Sequence, residues 1–119
     1  MGVVYHANYL VWFEIGRVDF IRNLGINYRT MEQEDGLGIA VVNVSARYKA
    51  PARYDDQLRI ETRLAAARGA IIKFNYRVLR SADDAVLCEG ETVHVVVDRE
   101  MKKRSLPEKY ASRFASVLI

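Results

Sequence analysis

The sequence has few of the residues that cross-link or interrupt a fold. Its 119 residues include one cysteine and two prolines, and its only histidines are His6 and His94. The single thiol, Cys88, cannot form a disulfide within the chain, and one Cys with two His is too few for a structural zinc site. We therefore expect a chain held together by its apolar core, kept in a reducing compartment such as the cytoplasm.

Long apolar runs and a strong charge of one sign are also missing. No segment approaches the roughly 18 apolar residues of a membrane-spanning helix, and residues 1–9 lack the basic-then-apolar pattern of a signal peptide. The formal net charge is +3, without a long basic run. These features argue against an integral membrane segment and against a nucleic-acid partner. A mild positive excess suits an anionic small molecule.

The apolar pattern near the start predicts one long helix from Asn8 to Asn23. Half of all residues are hydrophobic, and here they recur at intervals typical of a helix that is buried against a sheet. Asn8 is the predicted N-cap and Gly25 the left-handed residue after the helix. Gly16 lies on the apolar side, where it lets a neighbour approach closely.

Beyond residue 38 the pattern changes to the period of two that is typical of strands. Residues 26–38 are mixed and polar, without a predicted element. The last strand is apolar on both faces at Val93–Val97, which predicts a central or interface strand. The predicted strands are 40–49, 58–64, 72–78 and 86–98.

A short helix is predicted at the C-terminal end. Ser105 and Glu108 have the spacing of a capping box, and Pro107 lies in the first turn. Tyr110, Phe114 and Val117 follow on one side and are expected to dock this helix. Together the elements predict an α+β fold with an antiparallel sheet.

One motif is specific enough to identify a family. The run Gly2-Val3-Val4-Tyr5-His6-Ala7-Asn8-Tyr9, followed by Phe13-Glu14 and Arg17, resembles the opening signature of the 4-hydroxybenzoyl-CoA thioesterase family. It is most similar to the branch of acyl-CoA thioesterases encoded with the Tol-Pal envelope system. Weaker similarities follow in the same order at Tyr48–Ala52, Asp55–Leu58, Arg68-Gly69 and Leu106-Pro107, so the resemblance covers nearly the whole chain.

The resemblance implies a hotdog fold, in which an antiparallel sheet wraps a long central helix, as a single domain over residues 1–119. It implies hydrolysis of acyl-CoA thioesters without a metal or another cofactor. It also implies a homodimer with active sites at the shared interface, or a homotetramer. The choice of carrier stays open between CoA and acyl carrier protein.

The resemblance also assigns roles to residues. The backbone N–H of His6 corresponds to the oxyanion donor, and such donors at a helix start are unpaired and carry the positive end of the helix dipole. The His6 side chain and Tyr5 are the implied catalytic groups, and basic residues at strand ends hold the CoA phosphates. The expected substrate-binding residues are Val4, Asn8, Tyr9 and Arg68.

The catalytic carboxylate has two candidates. In the family an Asp lies three residues before the motif glycine, which would place it two positions before Met1, so we expect a chain truncated at its N-terminus relative to the family. Glu14 is the other candidate, because it follows His6 by eight residues, the spacing found in the Arthrobacter-like class of hotdog thioesterases. The competing interpretation of Glu14 is an ion pair with Arg17 at i, i+3.

Three other functions and four other residues complete the sequence-based interpretation. A non-catalytic hotdog protein that binds acyl-CoA or acyl carrier protein is the main alternative. A hotdog dehydratase lacks its usual motif here, and a nucleic-acid-binding domain lacks a basic-aromatic patch. His94 and Cys88 are predicted to be core residues, and Asp55 and Asp56 to be turn residues.

Overall fold

The computed structural model describes Gly2 and residues 8–118. It confirms the α+β class and the four antiparallel strands. No helix in these residues is long and apolar enough to cross a membrane. The elements are α1 (Asn8–Asn23), α2 (Tyr28–Gln33), β1 (Gly38–Tyr48), β2 (Leu58–Arg68), β3 (Ile71–Arg80), β4 (Val86–Val97) and α3 (Glu108–Ala115).

The four strands form one antiparallel sheet in the order β1-β4-β3-β2. The strand that is apolar on both faces, β4, is central, as predicted. Register shifts interrupt each pair of strands, between Val41 and Asn43, Leu64 and Ala66, and Val78 and Leu79. Bulges of this kind bend and twist a sheet, which fits a sheet that curves around a helix.

The long helix α1 packs on one face of this sheet through aromatic contacts. Phe13 stacks on Tyr76 of β3, with ring centroids 4.6 Å apart, and Phe20 meets Phe74 edge to face at 5.5 Å. Gly90 of β4 makes room for Phe13, because a Cβ at Gly90 would lie 2.3 Å from the Phe13 ring. The helix is therefore seated where the central strand has no side chain.

Gly16 and Gly25 have the roles that the sequence predicted. A Cβ at Gly16 would lie 2.4 Å from Thr62 Oγ1, so the missing side chain lets α1 approach β2. Gly25 has φ +80°, the left-handed conformation that glycine adopts at a helix end. Beside it, Arg113 of α3 donates a 2.8 Å hydrogen bond to the carbonyl of Leu24.

Two local predictions were wrong. The polar segment 26–38 contains α2, whose start is capped by Asn27 Oδ1 accepting from Thr30 N at 3.2 Å. Its one buried residue, Met31, has no exposed surface. A helix of six residues is too short to be stable by itself, so it depends on the packing of Met31 in the core.

The predicted capping box at the start of α3 does not form. Pro107 occupies the cap position, so Glu108 is the first helical residue, and within Gly2 and residues 8–118 no side chain caps the helix. Tyr110 and Phe114 are buried as predicted, whereas Val117 lies beyond the helix and stays 37% exposed.

Candidate active site

The start of α1 is fixed to the end of β1 by aromatic side chains. Asn8 is the first helical residue and is exposed, so it lies inside the helix and is not the N-cap that the sequence predicted. Tyr9 is only 3% exposed and meets Trp12 and Tyr48 edge to face, at 4.9 and 5.2 Å between ring centroids. Burial raises the pKa of Tyr9. The positive end of the helix is thereby held against the strand end that carries Tyr48.

The loop before β2 is fastened to the same end of the sheet by Arg80. Its guanidinium reaches Asp56 Oδ2 at 3.2 Å, Asp83 Oδ2 at 3.1 Å and the carbonyl of Pro51 at 3.1 Å. Asp56 also accepts a 2.8 Å hydrogen bond from the backbone N–H of Arg53, and this bond is the largest single cause of the lowered pKa of Asp56. Asp56 is therefore a turn residue, as predicted.

The described part of the N-terminal segment contacts this loop. The backbone N–H of Tyr54 donates a 3.2 Å hydrogen bond to the carbonyl of Gly2. The predicted residues Val4, Tyr5 and His6 lie outside the described residues, and their roles stay predictions. Gly2 and α1 flank them in the chain, so both ends of the motif segment meet the same end of the sheet.

Arg68 lies at the other end of the strands. Tyr9 packs on Tyr48, and the cross-strand row that begins at Tyr48 ends at Ile60 of β2. Arg68 follows Ile60 by eight residues along the same strand, or about 26 Å at about 3.3 Å per residue. Within one chain the structure does not bring Arg68 together with Asn8 and Tyr9, so any shared site would need a second chain.

Glu14 and Arg17 do not form the ion pair that their spacing allows. Within the described chain Glu14 is exposed and has no charged partner, while Arg17 Nη1 donates a 3.2 Å hydrogen bond to the hydroxyl of Tyr76. Both side chains line a cavity of about 790 Å³ between α1, the turn after it and β1. Apolar residues on its walls include Val18, Ile21 and Ile39. The carboxylate of Glu14 is therefore free to meet a ligand or a second chain.

A buried chain of hydrogen bonds runs inward from Arg17. The Tyr76 hydroxyl lies 2.7 Å from Thr92 Oγ1, which lies 2.8 Å from His94 Nε2. Arg17 can only donate, so the Tyr76 hydroxyl oxygen accepts from it. Both hydroxyl protons then have an acceptor if Tyr76 donates to Thr92 and Thr92 donates to His94. Nδ1 of His94 then carries the proton, and it has no hydrogen-bond partner among the described residues.

The two predicted core residues are both buried. His94 has no exposed surface, and burial, together with the charge of Arg17, lowers its pKa to about 4. Burial raises the pKa of Cys88 to about 11, so this thiol stays protonated and unreactive. The sequence showed that His94 alternates with valines, but its link to Arg17 depends on three elements meeting and has no sequence signal.

No set of three or more His, Cys, Asp or Glu side chains is placed to hold a metal ion in Gly2 and residues 8–118.

Comparison with known proteins identifies the family. Residues 1–114 match the family described as the thioesterase-like superfamily. The chain is 34% identical over 114 residues to the acyl-CoA thioester hydrolase YbgC of Escherichia coli O157:H7, which covers 95% of this chain and 84% of that protein.

Solved structures agree in fold. The chain superposes with a TM-score of 0.89 on a hypothetical protein of Thermus thermophilus at 32% identity, covering 98% of this chain and 88% of the other. It superposes with a TM-score of 0.90 on a DHNA-CoA thioesterase of Staphylococcus aureus at 25% identity, covering 98% of this chain and 80% of that one. The predicted hotdog fold is thus confirmed, and the chain belongs to the thioesterase-like superfamily.

Proposed function

We propose that this protein hydrolyses acyl-CoA thioesters to the free acid and CoA. The observation that carries the proposal is the similarity, over 95% of the chain, to a protein named acyl-CoA thioester hydrolase. The family match over residues 1–114 includes the motif before α1 and the helix itself, which packs on the sheet through Phe13 beside Gly90. We place the protein in the cytoplasm, where its single thiol stays reduced.

The proposed chemistry uses the start of α1. The backbone N–H of His6 stabilises the oxyanion that forms when the thioester carbonyl is attacked, and the helix dipole supports the same charge. The side chains of His6 and Tyr5 orient the nucleophile, while Val4, Asn8 and Tyr9 border the thioester. Tyr9 contributes chiefly by fixing the helix, because its ring is buried. The mechanism requires no metal or other cofactor.

A carboxylate must activate water or attack the carbonyl itself. We propose Glu14, which lines the cavity beside α1 without an ion-pair partner in the described chain. The rival is the Asp that the family resemblance implies three residues before the motif glycine. Arg68, the last residue of β2, would bind the CoA phosphates in an active site that a second chain completes.

We propose that the second chain joins through β1 and α1. β1 is an edge strand, and its backbone groups along that edge have no strand beside them in the described chain. Val44 on β1 is 41% exposed, and α1 carries four further exposed apolar residues: Leu10, Val11, Ile15 and Val18. A group of exposed large apolar residues beside an unpaired strand edge is typical of an interface.

We expect Val44→Glu to weaken this edge dimer. A carboxylate in the middle of an apolar interface costs about 1–3 kcal/mol or more, because it is buried without a partner. Analytical ultracentrifugation should show the dimer dissociating at concentrations at which the wild type stays associated. Val117→Glu is the matched control, since Val117 is 37% exposed and lies beyond α3. Equal association of the two variants would contradict the proposed interface.

The function is tested by thiol release from a panel of short, long and aromatic acyl-CoAs, and from an acyl carrier protein thioester. We expect turnover of at least one CoA thioester. Saturable binding of acyl-CoA by calorimetry, without thiol release from any member, would instead favour a non-catalytic carrier protein.

The roles of Glu14 and His6 can be separated in the same assay. Glu14→Gln keeps the size of the side chain and removes the charge, so kcat should fall by about 10²-fold or more if Glu14 activates the nucleophile. Unchanged kcat in Glu14→Gln would remove Glu14 from the mechanism.

His6→Ala should lower kcat by about 10²-fold through the lost side chain, because the backbone donor remains. Asp19→Asn, an exposed substitution on the same helix, is the control.

A further inference from the structure

Arg17 is a half-buried cation without an anion beside it. Within the described chain its one hydrogen bond is the 3.2 Å bond that Nη1 donates to the hydroxyl of Tyr76, and no carboxylate there pairs with it. A guanidinium carries five N–H donors in a rigid fork, so most of those on Arg17 have no acceptor in the described residues. Partly buried charges are normally paired.

The buried hydrogen-bond chain fixes the position of this guanidinium. Behind Tyr76 the chain continues through Thr92 to His94, and all three of these side chains are buried. Burial lowers the pKa of His94 to about 4, so at neutral pH this histidine carries no charge and Arg17 is the one charged member of the four. Such a network is expensive to bury. Its effect is to hold one cation in one place.

The guanidinium borders a cavity with mainly aliphatic walls. Arg17 lines the space of about 790 Å³ beside α1, a volume typical of small-molecule sites. The other charged residues on its walls are Glu14 and Arg22, and Arg22 is already paired with Asp19 at 3.4 Å. The aliphatic side chains that line it are Val18, Ile21, Ile26, Ile39 and Val41.

We infer that Arg17 binds a second carboxylate carried by the acyl group of the substrate, so that the preferred substrates are CoA monothioesters of dicarboxylic acids. The inference rests on the proposed thioester hydrolysis and names its acyl class. A guanidinium binds a carboxylate through two parallel N–H···O bonds. The ligand would supply the counter-charge that Arg17 lacks in the described chain, and the aliphatic walls would exclude water and strengthen the pair.

The separation of Arg17 from Glu14 is what leaves both charges available. An ion pair between them would neutralise the cation and weaken Glu14 as the group that attacks or activates water. The Tyr76 hydroxyl instead draws Arg17 toward the sheet. Side chains three residues apart on a helix start about 5–6 Å apart, so an acyl group of about four to six carbons can reach from a thioester beside Glu14 to the guanidinium.

The same arrangement disfavours a plain aliphatic acyl group of equal length. Such a group would displace water from the cavity and give nothing back to the N–H donors of Arg17. A binding site built to hydrogen-bond a polar group rejects the analogue that lacks it, because the polar groups of the protein are then left unpaired. Arg17 is therefore expected to determine specificity and not merely to add affinity.

The test measures thiol release from three pairs of CoA thioesters that are matched in carbon number. The pairs are succinyl with butyryl, glutaryl with valeryl, and adipoyl with hexanoyl. The readout is the specificity ratio, defined as kcat/KM of the dicarboxylic member divided by kcat/KM of the monocarboxylic member. We expect wild type to give a specificity ratio of about 10 or more for at least one pair, the size of effect typical of a hydrogen-bonded charge.

Four variants connect the specificity ratio to Arg17. Arg17→Met keeps a long side chain without its charge and should lower the ratio about 10- to 100-fold, whereas Arg17→Lys keeps a point charge and should retain part of the preference. Tyr76→Phe keeps the ring on Phe13 and removes the hydroxyl that fixes Arg17, so it should lower the ratio by less. Arg22→Met is the matched control, because Arg22 lines the same cavity but is paired with Asp19; it should keep the wild-type ratio.

A purely structural role for Arg17 would change kcat/KM of both members of a pair together and leave the specificity ratio alone. A ratio near one for all three pairs in wild type, or an unchanged ratio in Arg17→Met, would overturn the inference while thiol release still supported hydrolysis. Thiol release from none of the six thioesters would overturn the proposed function, and the inference with it.

Two further measurements complete the test. If Arg17→Met dissociates in the ultracentrifuge and keeps the wild-type ratio, the carboxylate that pairs with Arg17 belongs to a second chain and the inference is wrong. Circular dichroism verifies that each variant folds. Should Arg17→Met fail to fold, Arg17→Lys and Tyr76→Phe decide, and wild-type ratios in both would reject the assigned role.

Discussion

Gly90→Ala is expected to be the most destabilising small substitution in the described chain. The new Cβ would lie 2.3 and 2.4 Å from two ring carbons of Phe13, far inside van der Waals contact. Phe13 cannot retreat easily, because its ring stacks on Tyr76 and is only 1% exposed. Overpacking of a core costs typically 1–3 kcal/mol, and a contact this short belongs at the upper end, about 3 kcal/mol. Urea unfolding monitored by fluorescence measures the loss.

The control for this substitution is another strand glycine. Gly38 has room for a side chain, with only the Tyr28 hydroxyl 3.6 Å from its Cβ position, and its φ is not positive. Gly38→Ala should therefore leave stability unchanged or raise it by about 0.5 kcal/mol. Adding Phe13→Leu to Gly90→Ala should recover part of the lost stability, because the smaller side chain relieves the contact. If Gly90→Ala and Gly38→Ala unfold at the same urea concentration, Gly90 is not what seats the helix.

Acidification is expected to remove about 3 kcal/mol of stability through His94 alone. The pKa of this histidine is about 4 in the folded chain, against 6.5 when it is exposed, and each unit is worth 1.36 kcal/mol. Because the folded pKa is the lower one, the unfolded chain binds the proton first. The loss begins as the pH falls below 6.5, grows until about pH 4 and then levels off. Above pH 6.5 both states are neutral at this site and it contributes no pH dependence.

Several carboxylates also lose their native interactions in acid, so the contribution of His94 to the pH dependence of stability has to be measured separately. Asp35, Asp56 and Asp98 have lowered pKa values from hydrogen bonds, and they weaken the folded state as they are protonated. His94→Gln keeps a polar side chain of similar size and removes the titration. We expect the urea midpoints of His94→Gln to fall less steeply than those of wild type between pH 6.5 and 4, and parallel curves would contradict the assigned role of burial.

Much of the fold could be predicted from the sequence because its signals are local. The period of two located four strands, and glycine at position 25 marked the end of α1. α2 was not predicted, because a six-residue helix with Met31 as its one buried residue has too few positions to show the helical repeat of apolar residues. The capping box was predicted from the spacing of Ser105 and Glu108 alone. The helix instead begins at Glu108 with Pro107 at the cap position, so Ser105 lies before the cap.

Less of the candidate site than of the fold could be predicted from the sequence. The motif from Gly2 to Tyr9 indicated chemistry through a resemblance, yet no local pattern shows that Arg17 bonds to Tyr76 instead of Glu14. That choice depends on how α1 lies across β3. The separation of Arg68 from Tyr9 likewise depends on strand register, which neighbouring residues do not encode.

The triplet Glu89-Gly90-Glu91 has a consequence for how this chain can vary in length. Gly90 faces the helix, while its two neighbours lie on the opposite face of the central strand. Inserting or deleting one residue here would exchange the two faces of the strand, place a carboxylate beneath Phe13 and shift the register of β4 with β1 and β3. Changes of length among related chains should therefore be absent from β4 and should collect in turns such as the one at Gly69, where the backbone borders open space.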